Sequence, residues 1–247
     1  MKICGFIKNY NDAEQLERCL SQLSKFCDLI AVCDDSSTDN SLEIIKKYTD
    51  LYIVLPNEFQ KELEHKQKLL EFALEKHPDI THFFWVDADE IIEARGIKGI
   101  RKLCEFMDEF DIDGFQFHLI NLWRSKCWYR LDNAFNDLWK VHLWKNSGQL
   151  KFEPKEGLHQ LQHPQLTKIM RCNLSIIHYG FSTIDLIVRK YKTYKSFGQL
   201  GWSLYRLIDE NTLQLAPVNL SWFPEELKPK IEPPTKAMSD EEWKKFL

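Results

Sequence analysis

Apolar residues in the N-terminal part of the chain switch repeatedly between the short period of a strand and the longer period of a helix. Residues 2–7 read as a strand. Asn11 or Asp12 then offers a helix cap, and Leu16, Cys19, Leu20, Leu23 and Phe26 recur on one helical face. Leu29 to Cys33 is a short apolar run, a buried strand that ends in Asp34-Asp35. Ser36 to Asn40 is turn chemistry, with Asp39 and Ser41 as caps of a helix marked by Leu42, Ile45 and Tyr48. Tyr52 to Leu55 is a third strand, Glu62 to His77 a long helix, and His82 to Val86 a fourth strand that ends in Asp87-Ala88-Asp89-Glu90. Strand and helix alternating at this spacing predict an α/β fold with a mostly parallel sheet flanked by helices. In such sheets ligands bind at the carboxyl ends of the strands. Both acidic clusters sit there.

The pattern changes beyond residue 96. Ile97 to Glu109 reads as a helix, and Gly114–Ile120, Leu138–Trp144 and Leu174–His178 read as strands. Ile184 to Phe197 is a basic helix and Leu204 to Ile208 a further one. Pro224 to Pro234 holds four prolines, which leaves an extended wrap or a loose end. Trp123, Trp128, Tyr129, Trp139 and Trp144 crowd the middle region. One or two are expected against an acceptor and the rest in the core.

Composition narrows the classes. With 247 residues, 44% hydrophobic and 28% charged, the chain can bury a sizeable core and is not low-complexity disorder. A net charge of −4 disfavours a nucleic-acid partner. The first residues are too short an apolar run for a signal peptide. No stretch approaches the ~18 apolar residues of a spanning helix. The seven cysteines are scattered without Cys-x-x-Cys, so we expect reduced core thiols and a cytoplasmic chain. Neither a Gly-x-x-x-x-Gly-Lys loop nor a Gly-x-Gly-x-x-Gly turn is present.

The acidic clusters carry the candidate chemistry. Asp87 and Asp89 stand two residues apart just past an apolar strand. Hard oxygen ligands of this kind suit Mg2+ or Mn2+, whose remaining positions a diphosphate can fill. The plain alternative is a solvated acidic loop that caps the next helix. At the second strand end, Asp35 can accept hydrogen bonds from a nucleobase imide or a ribose hydroxyl. The plain alternative there is a side-chain turn.

Phe6-Ile7-Lys8-Asn9-Tyr10-Asn11, Asp34-Asp35-Ser36-Ser37-Thr38-Asp39 and Trp85-Val86-Asp87-Ala88-Asp89-Glu90 together resemble the family 2 glycosyltransferases of the GT-A fold. The resemblance is clear over residues 2–95, thinner over about 110–195 and absent after about 200. It implies a GT-A domain over 1–200, with a nucleotide-binding half at 1–95 and an acceptor half at 96–200. A helical and proline-rich extension would follow at 201–247. It implies inverting transfer from a nucleotide-diphosphate sugar, with a divalent metal, in polysaccharide or glycan biosynthesis. By position, Tyr10 would flank the nucleobase and Asp35 bind it. Asp87 would lie near the ribose or the metal, and Asp89 would ligate the metal. Lys66 would face the nucleotide, or else lie on a solvated helix face. His178 would be a third metal ligand, or else a hydrogen-bonded core histidine. Some relatives carry a carboxylate where Gln160 stands here, and glutamine cannot act as a general base. Glu156 is the replacement expected, with His159 and Glu153 behind it.

The acceptor stays open between a glycan, a lipid-linked sugar and a protein. The basic segment Arg189 to Lys195 could screen the donor diphosphate or touch an anionic lipid at a membrane surface, or be a solvated face. Two other functions compete. A non-catalytic nucleotide-sugar binding module is motivated by Gln160. A metal-dependent nucleotidyltransferase is disfavoured because Asn9-Tyr10-Asn11-Asp12 stands where it would carry a Gly-rich basic loop.

Overall fold

The computed structural model describes residues 1–132, 135, 137–153, 163–198, 214–235 and 241. The chain divides into two compact units. The first comprises Met1–His118 with Trp139–Ser175, and the second Leu119–Leu138 with Ile176–Leu247.

The first unit opens with β1 (Ile3–Asn9), α1 (Ala13–Leu23), β2 (Leu29–Asp34), α2 (Ser41–Tyr48), β3 (Tyr52–Val54), α3 (Glu62–Lys76) and β4 (His82–Trp85). β5 (Glu90–Ile92), α4 (Ala94–Phe110), β6 (Gly114–Asn121), β8 (Trp139–Lys145) and β9 (Ile169–His178) complete the sheet, in the order β3-β2-β1-β4-β8-β6-β9-β5. The ends of β6 and β9 run on into the second unit. β1 pairs in parallel with β2 on one edge and β4 on the other, and β2 with β3. β8 then runs antiparallel to both β4 and β6. The expected alternation is therefore observed through β4, and the sheet changes sense at β8. β1 is buried along nearly its whole length, as a strand covered on both faces must be. Its Phe6 ring lies within 5.3–6.3 Å of the rings of Trp85, Phe83, Trp144 and Phe152. Such aromatic contacts stabilise beyond the area they bury.

The helix starts differ from the sequence expectation. Asp12 occupies the cap position of α1 without a side-chain bond, and Asn40 rather than Ser41 caps α2 by position. The capping oxygens for both helices come from Asp39, which accepts from Ala13 N–H and Ser41 N–H at 3.0 Å each. Partial burial pushes the Asp39 carboxyl up, but these hydrogen bonds outweigh it and hold it below the ordinary carboxylate range.

The second unit contains β7 (Trp128–Arg130), α5 (Ile184–Ser196) and β10 (Leu215–Pro217), with β10 antiparallel to β7. Trp123, Phe135, Phe181, Ile187 and Val188 form its core. Arg130 is buried there, its guanidinium paired with both oxygens of Asp132 at 2.7 Å and laid over Trp123 and Phe135. A buried guanidinium needs such a partner to offset its lost hydration. The proline-rich tail wraps this unit. Glu232 O accepts from Trp128 Nε1 at 2.9 Å, and Thr235 N–H donates to Arg124 O at 2.9 Å. The helix expected at Leu204–Ile208 lies outside the described residues. Among the described residues no helix is long and apolar enough to cross a membrane. All seven cysteines are free, and burial pushes the Cys4 thiol up to about 12.

Two buried histidines of the first unit set its acid sensitivity. Burial lowers His82 to about 4 and His142 to about 3, so both are neutral when folded. In the unfolded chain each takes up a proton near its ordinary 6.5. Stability is therefore full above that value and falls as pH drops toward the folded pKa values, by up to about 1.4 kcal/mol per pH unit per histidine. Urea unfolding should show a loss on the order of 2–4 kcal/mol between about pH 7 and pH 5. A flat profile would contradict the buried neutral assignment.

Candidate active site

The two acidic turns are held at the carboxyl ends of β2 and β4, the strands on either side of β1. The register sets Asn9 opposite Asp34 and Phe6 opposite Trp85. Asp34 ties the turn together: it accepts from Asn9 Nδ2 at 3.0 Å and from Ser37 N–H and Oγ–H at 2.7 Å. Asn11, in the left-handed region at φ 48°, turns its Oδ1 to Thr38 N–H at 2.7 Å. The backbone after β1 and the turn after β2 are thereby locked together, and Tyr10 projects from that corner half exposed.

Asp35 is the buried charge of this corner, 1% exposed. Its N–H donates to Asn9 O at 2.9 Å. One carboxylate oxygen is 2.9 Å from His65 Nδ1, and the other accepts from Lys8 Nζ. The Cys33 thiol is a third partner at 3.7 Å, and since a carboxylate offers about four lone-pair sites, capacity for one ligand donor is left. Sequence reasoning does not single out Lys8 or His65, although it holds signals for both. Lys8 shares a face with Phe6 at the strand period, and His65 adjoins Lys66 on the buried stripe of α3. Cys33 Sγ, an Asp35 oxygen and a His65 nitrogen lie within 4.8 Å of one another, a spacing a metal could use. Lys8 already pairs with Asp35, and burial pushes the Cys33 thiol up to about 12, so this cluster is better suited to hydrogen bonding.

Lys66 is not on a solvated face. It is fully buried, donates to Glu62 Oε1 at 2.7 Å, and lies 3.9 Å from the centre of the Trp85 ring. Burial lowers its pKa, while the charges of Glu62 and Asp87 act the other way. The reason is its place on the stripe Leu63, Lys66, Leu69, Leu70 and Ala73 that α3 turns inward. The mixed charges of the helix hide that stripe in the sequence.

At the end of β4 the Asp87 N–H donates to Glu90 Oε2 at 2.9 Å. Glu90 is fully buried, with Lys140 Nζ 3.6 Å and His142 Nδ1 3.9 Å away. This pins the Asp-Ala-Asp turn from behind. The half-buried Asp87 carboxylate takes no hydrogen bond among the described residues, which leaves hard oxygens available to a cation. Asp89 is buried nearby in sequence. His142 Nδ1 lies 2.7 Å from Trp85 O, so it carries the proton. Its buried Nε2 is then a bare lone pair with no hydrogen-bond partner among the described residues.

Tyr10, Asp35, Lys66, Asp87 and Asp89 all belong to the first unit, and His178 to the second. His178 is buried with Nδ1 2.7 Å from Asn121 Oδ1. Glu156, His159 and Gln160 lie outside the described residues, and Glu153 is exposed. Of the crowded aromatics, Trp123 and Trp144 are core, while Trp139 is half-buried under the Arg171 guanidinium at 4.7 Å.

Comparison with known proteins fits this geometry. Among curated proteins the chain is 24% identical over 223 residues to the SPbeta prophage-derived glycosyltransferase SunS of Bacillus subtilis (strain 168), covering 89% of this chain and 46% of that protein. Glycosyltransferase SunS of Bacillus phage SPbeta matches to the same extent. The chain thus spans about half the length of the curated relatives it matches. Among solved structures, S. aureus TarS shares the fold at a TM-score of 0.50 and 15% identity, covering 76% of this chain and 39% of that one. The family model described as glycosyl transferase family 2 matches residues 6–121, the stretch that holds the end of β1, both acidic turns and α3. Over those residues the chain is similar to glycosyl transferase family 2, and its sheet is that of the GT-A fold.

Proposed function

We propose that this protein is an inverting glycosyltransferase that moves a sugar from a nucleotide-diphosphate donor to an acceptor hydroxyl. The observation that carries the reading is the pair of acidic turns at neighbouring parallel strand ends. One is built around a buried, hydrogen-bonded carboxylate, the other around a carboxylate left open. The similarity to SunS, a glycosyltransferase, supports it.

In this reading Asp35, held by Lys8 and His65, accepts the imide N–H of the nucleobase, and Tyr10 flanks the ring. Asp87 and Asp89 would hold Mg2+ or Mn2+. Such an ion supplies positive charge beside the diphosphate. Lys66 adds a fixed positive charge at the Asp87 side of the site. In the chemical step the acceptor oxygen bonds to the anomeric carbon while the bond from that carbon to the diphosphate oxygen breaks. The leaving nucleoside diphosphate keeps the electron pair. Glu156 takes the acceptor proton, with His159 as the next group available. The acceptor is a glycan, a lipid-linked sugar or a protein.

Asp89→Ala should weaken nucleotide-sugar binding in manganese and abolish donor turnover. Equal nucleoside-diphosphate affinity in manganese and in chelator would contradict the metal reading.

Asp35→Asn replaces an acceptor oxygen by a donor amide. The nucleoside-diphosphate affinity of the folded protein should fall by about 1–3 kcal/mol in calorimetry. The variant also removes the partner of Lys8, so stability is measured beside it. Unchanged affinity would move the nucleobase elsewhere.

Glu156→Gln should lower turnover at least ~10²-fold with donor affinity nearly unchanged, the signature of a lost general base. Gln160→Glu should raise the rate or rescue that variant. Donor binding with no transfer or hydrolysis in the wild type would favour a non-catalytic binding module.

A further inference from the structure

The second unit holds a cleft of about 190 Å³ whose lining residues have no role in the chemistry above. Its walls come from three stretches: Arg124 to Lys126 between β6 and β7, Ser182 to Asp185 at the start of α5, and the tail around Lys230 to Thr235. Hydrogen bonds fix them to one another. Arg124 N–H donates to Phe181 O at 2.8 Å, and Thr235 N–H donates to Arg124 O at 2.9 Å. Two of the three walls therefore meet on one arginine, which is itself buried.

Donors from the start of α5, Ser182 and Lys230 meet at this cleft. α5 is 13 residues long, and Thr183 caps it by accepting from Leu186 N–H at 3.3 Å. The first N–H groups of a helix have no partner within it, and the helix dipole puts partial positive charge there. Ser182 is 3% exposed, and its hydroxyl has no hydrogen-bond partner among the described residues. Leaving a buried hydroxyl unbonded is costly, and an acceptor oxygen in the cleft would satisfy it. Arg124, Lys126 and Lys230 add positive charge against the carboxylates of Asp185 and Glu232. Lys230 makes no ion pair among the described residues. The volume is that of roughly six waters and falls below the ~300 Å³ at which pockets begin to hold a whole small molecule. It suits one tetrahedral group with several acceptor oxygens.

We propose that this cleft binds a phosphoryl group, either free inorganic phosphate or a soluble phosphoester, or the phosphomonoester headgroup of a lipid. The helix N-terminus and the Ser182 hydroxyl donate to its oxygens. Lys230 closes over it from the tail, and Arg124 supplies charge from the wall.

The test is calorimetric titration of inorganic phosphate into the whole chain, in low salt with a chelator present. Wild type should bind saturably. Lys230→Ala and Ser182→Ala should each weaken binding about tenfold, the cost of one hydrogen bond to a charged group. Ser182→Ala should leave the melting temperature unchanged, because it removes no protein hydrogen bond. Asp89→Ala should bind phosphate like the wild type, so failure of the donor reading leaves this result untouched. Sedimentation with phosphatidylcholine vesicles, with and without phosphatidic acid, separates the sources. Retention that depends on phosphatidic acid and on Lys230 assigns a lipid headgroup. Phosphate binding without retention assigns a soluble phosphate. No phosphate binding by the wild type, equal binding by Lys230→Ala and Ser182→Ala, or loss confined to Asp89→Ala would overturn the proposal.

Discussion

The site depends on one constraint, the parallel pairing of β1 on both of its edges. Strand order reverses at β1, since β2 and β3 add on one side and β4 on the other. At such a point the two flanking connections leave in opposite directions, and a crevice opens beyond the strand ends. Asp34-Asp35 and Asp87-Ala88-Asp89 stand where those connections begin. A one-residue slip of β1 would break the Asn9–Asp34 contact and move Lys8 away from Asp35. The apolar burial of Phe6 opposes that slip, because a slip would turn its ring out of the aromatic cluster.

Charge at this corner is held under the same constraint. Asp35, Lys8, His65, Lys66, Glu62 and Asp87 form a run of partly or fully buried ionisable groups. Buried charges cost stability unless paired. Here Lys8 pairs with Asp35 and Lys66 with Glu62, and Trp85 adds a ring face beneath Lys66. A fold assembled only for stability would fill these positions with apolar side chains. Their retention at a strand-end crevice fits a site organised to receive an anionic, hydrogen-bonding ligand.

Much of the frame is legible in the sequence. Elements from β1 to β4 follow from apolar runs and turn residues, and so does the placement of Asp35, Asp87 and Asp89 at strand ends. The failures have physical causes. β5, β7 and β10 are three residues each, too short to display a period. Local pattern names Asp39 among the caps of α2 but assigns the cap of α1 to Asn11 or Asp12. Asp39 supplies both, and its bond to Ala13 spans 26 residues that no local pattern connects. Lys66 reads equally well as solvated because Glu62, Glu64 and Lys68 surround it in sequence, although the inward stripe of α3 includes it. The same charges conceal His65. For the tail, four prolines allow a wrap or a loose end alike. Backbone and indole hydrogen bonds to Arg124 and Trp128 settle it as a wrap on its own unit.

The central claim is that the two acidic turns form one metal-linked nucleotide site. Thermal unfolding of the wild type with a panel of nucleoside diphosphates, each with manganese and with chelator, tests it most directly. A ligand that binds only the folded state raises the melting temperature in proportion to its binding free energy. The account predicts a clear rise for one nucleobase in manganese, and little or none for the same nucleotide in chelator. Equal shifts in both conditions, or no shift with any nucleotide, would contradict it.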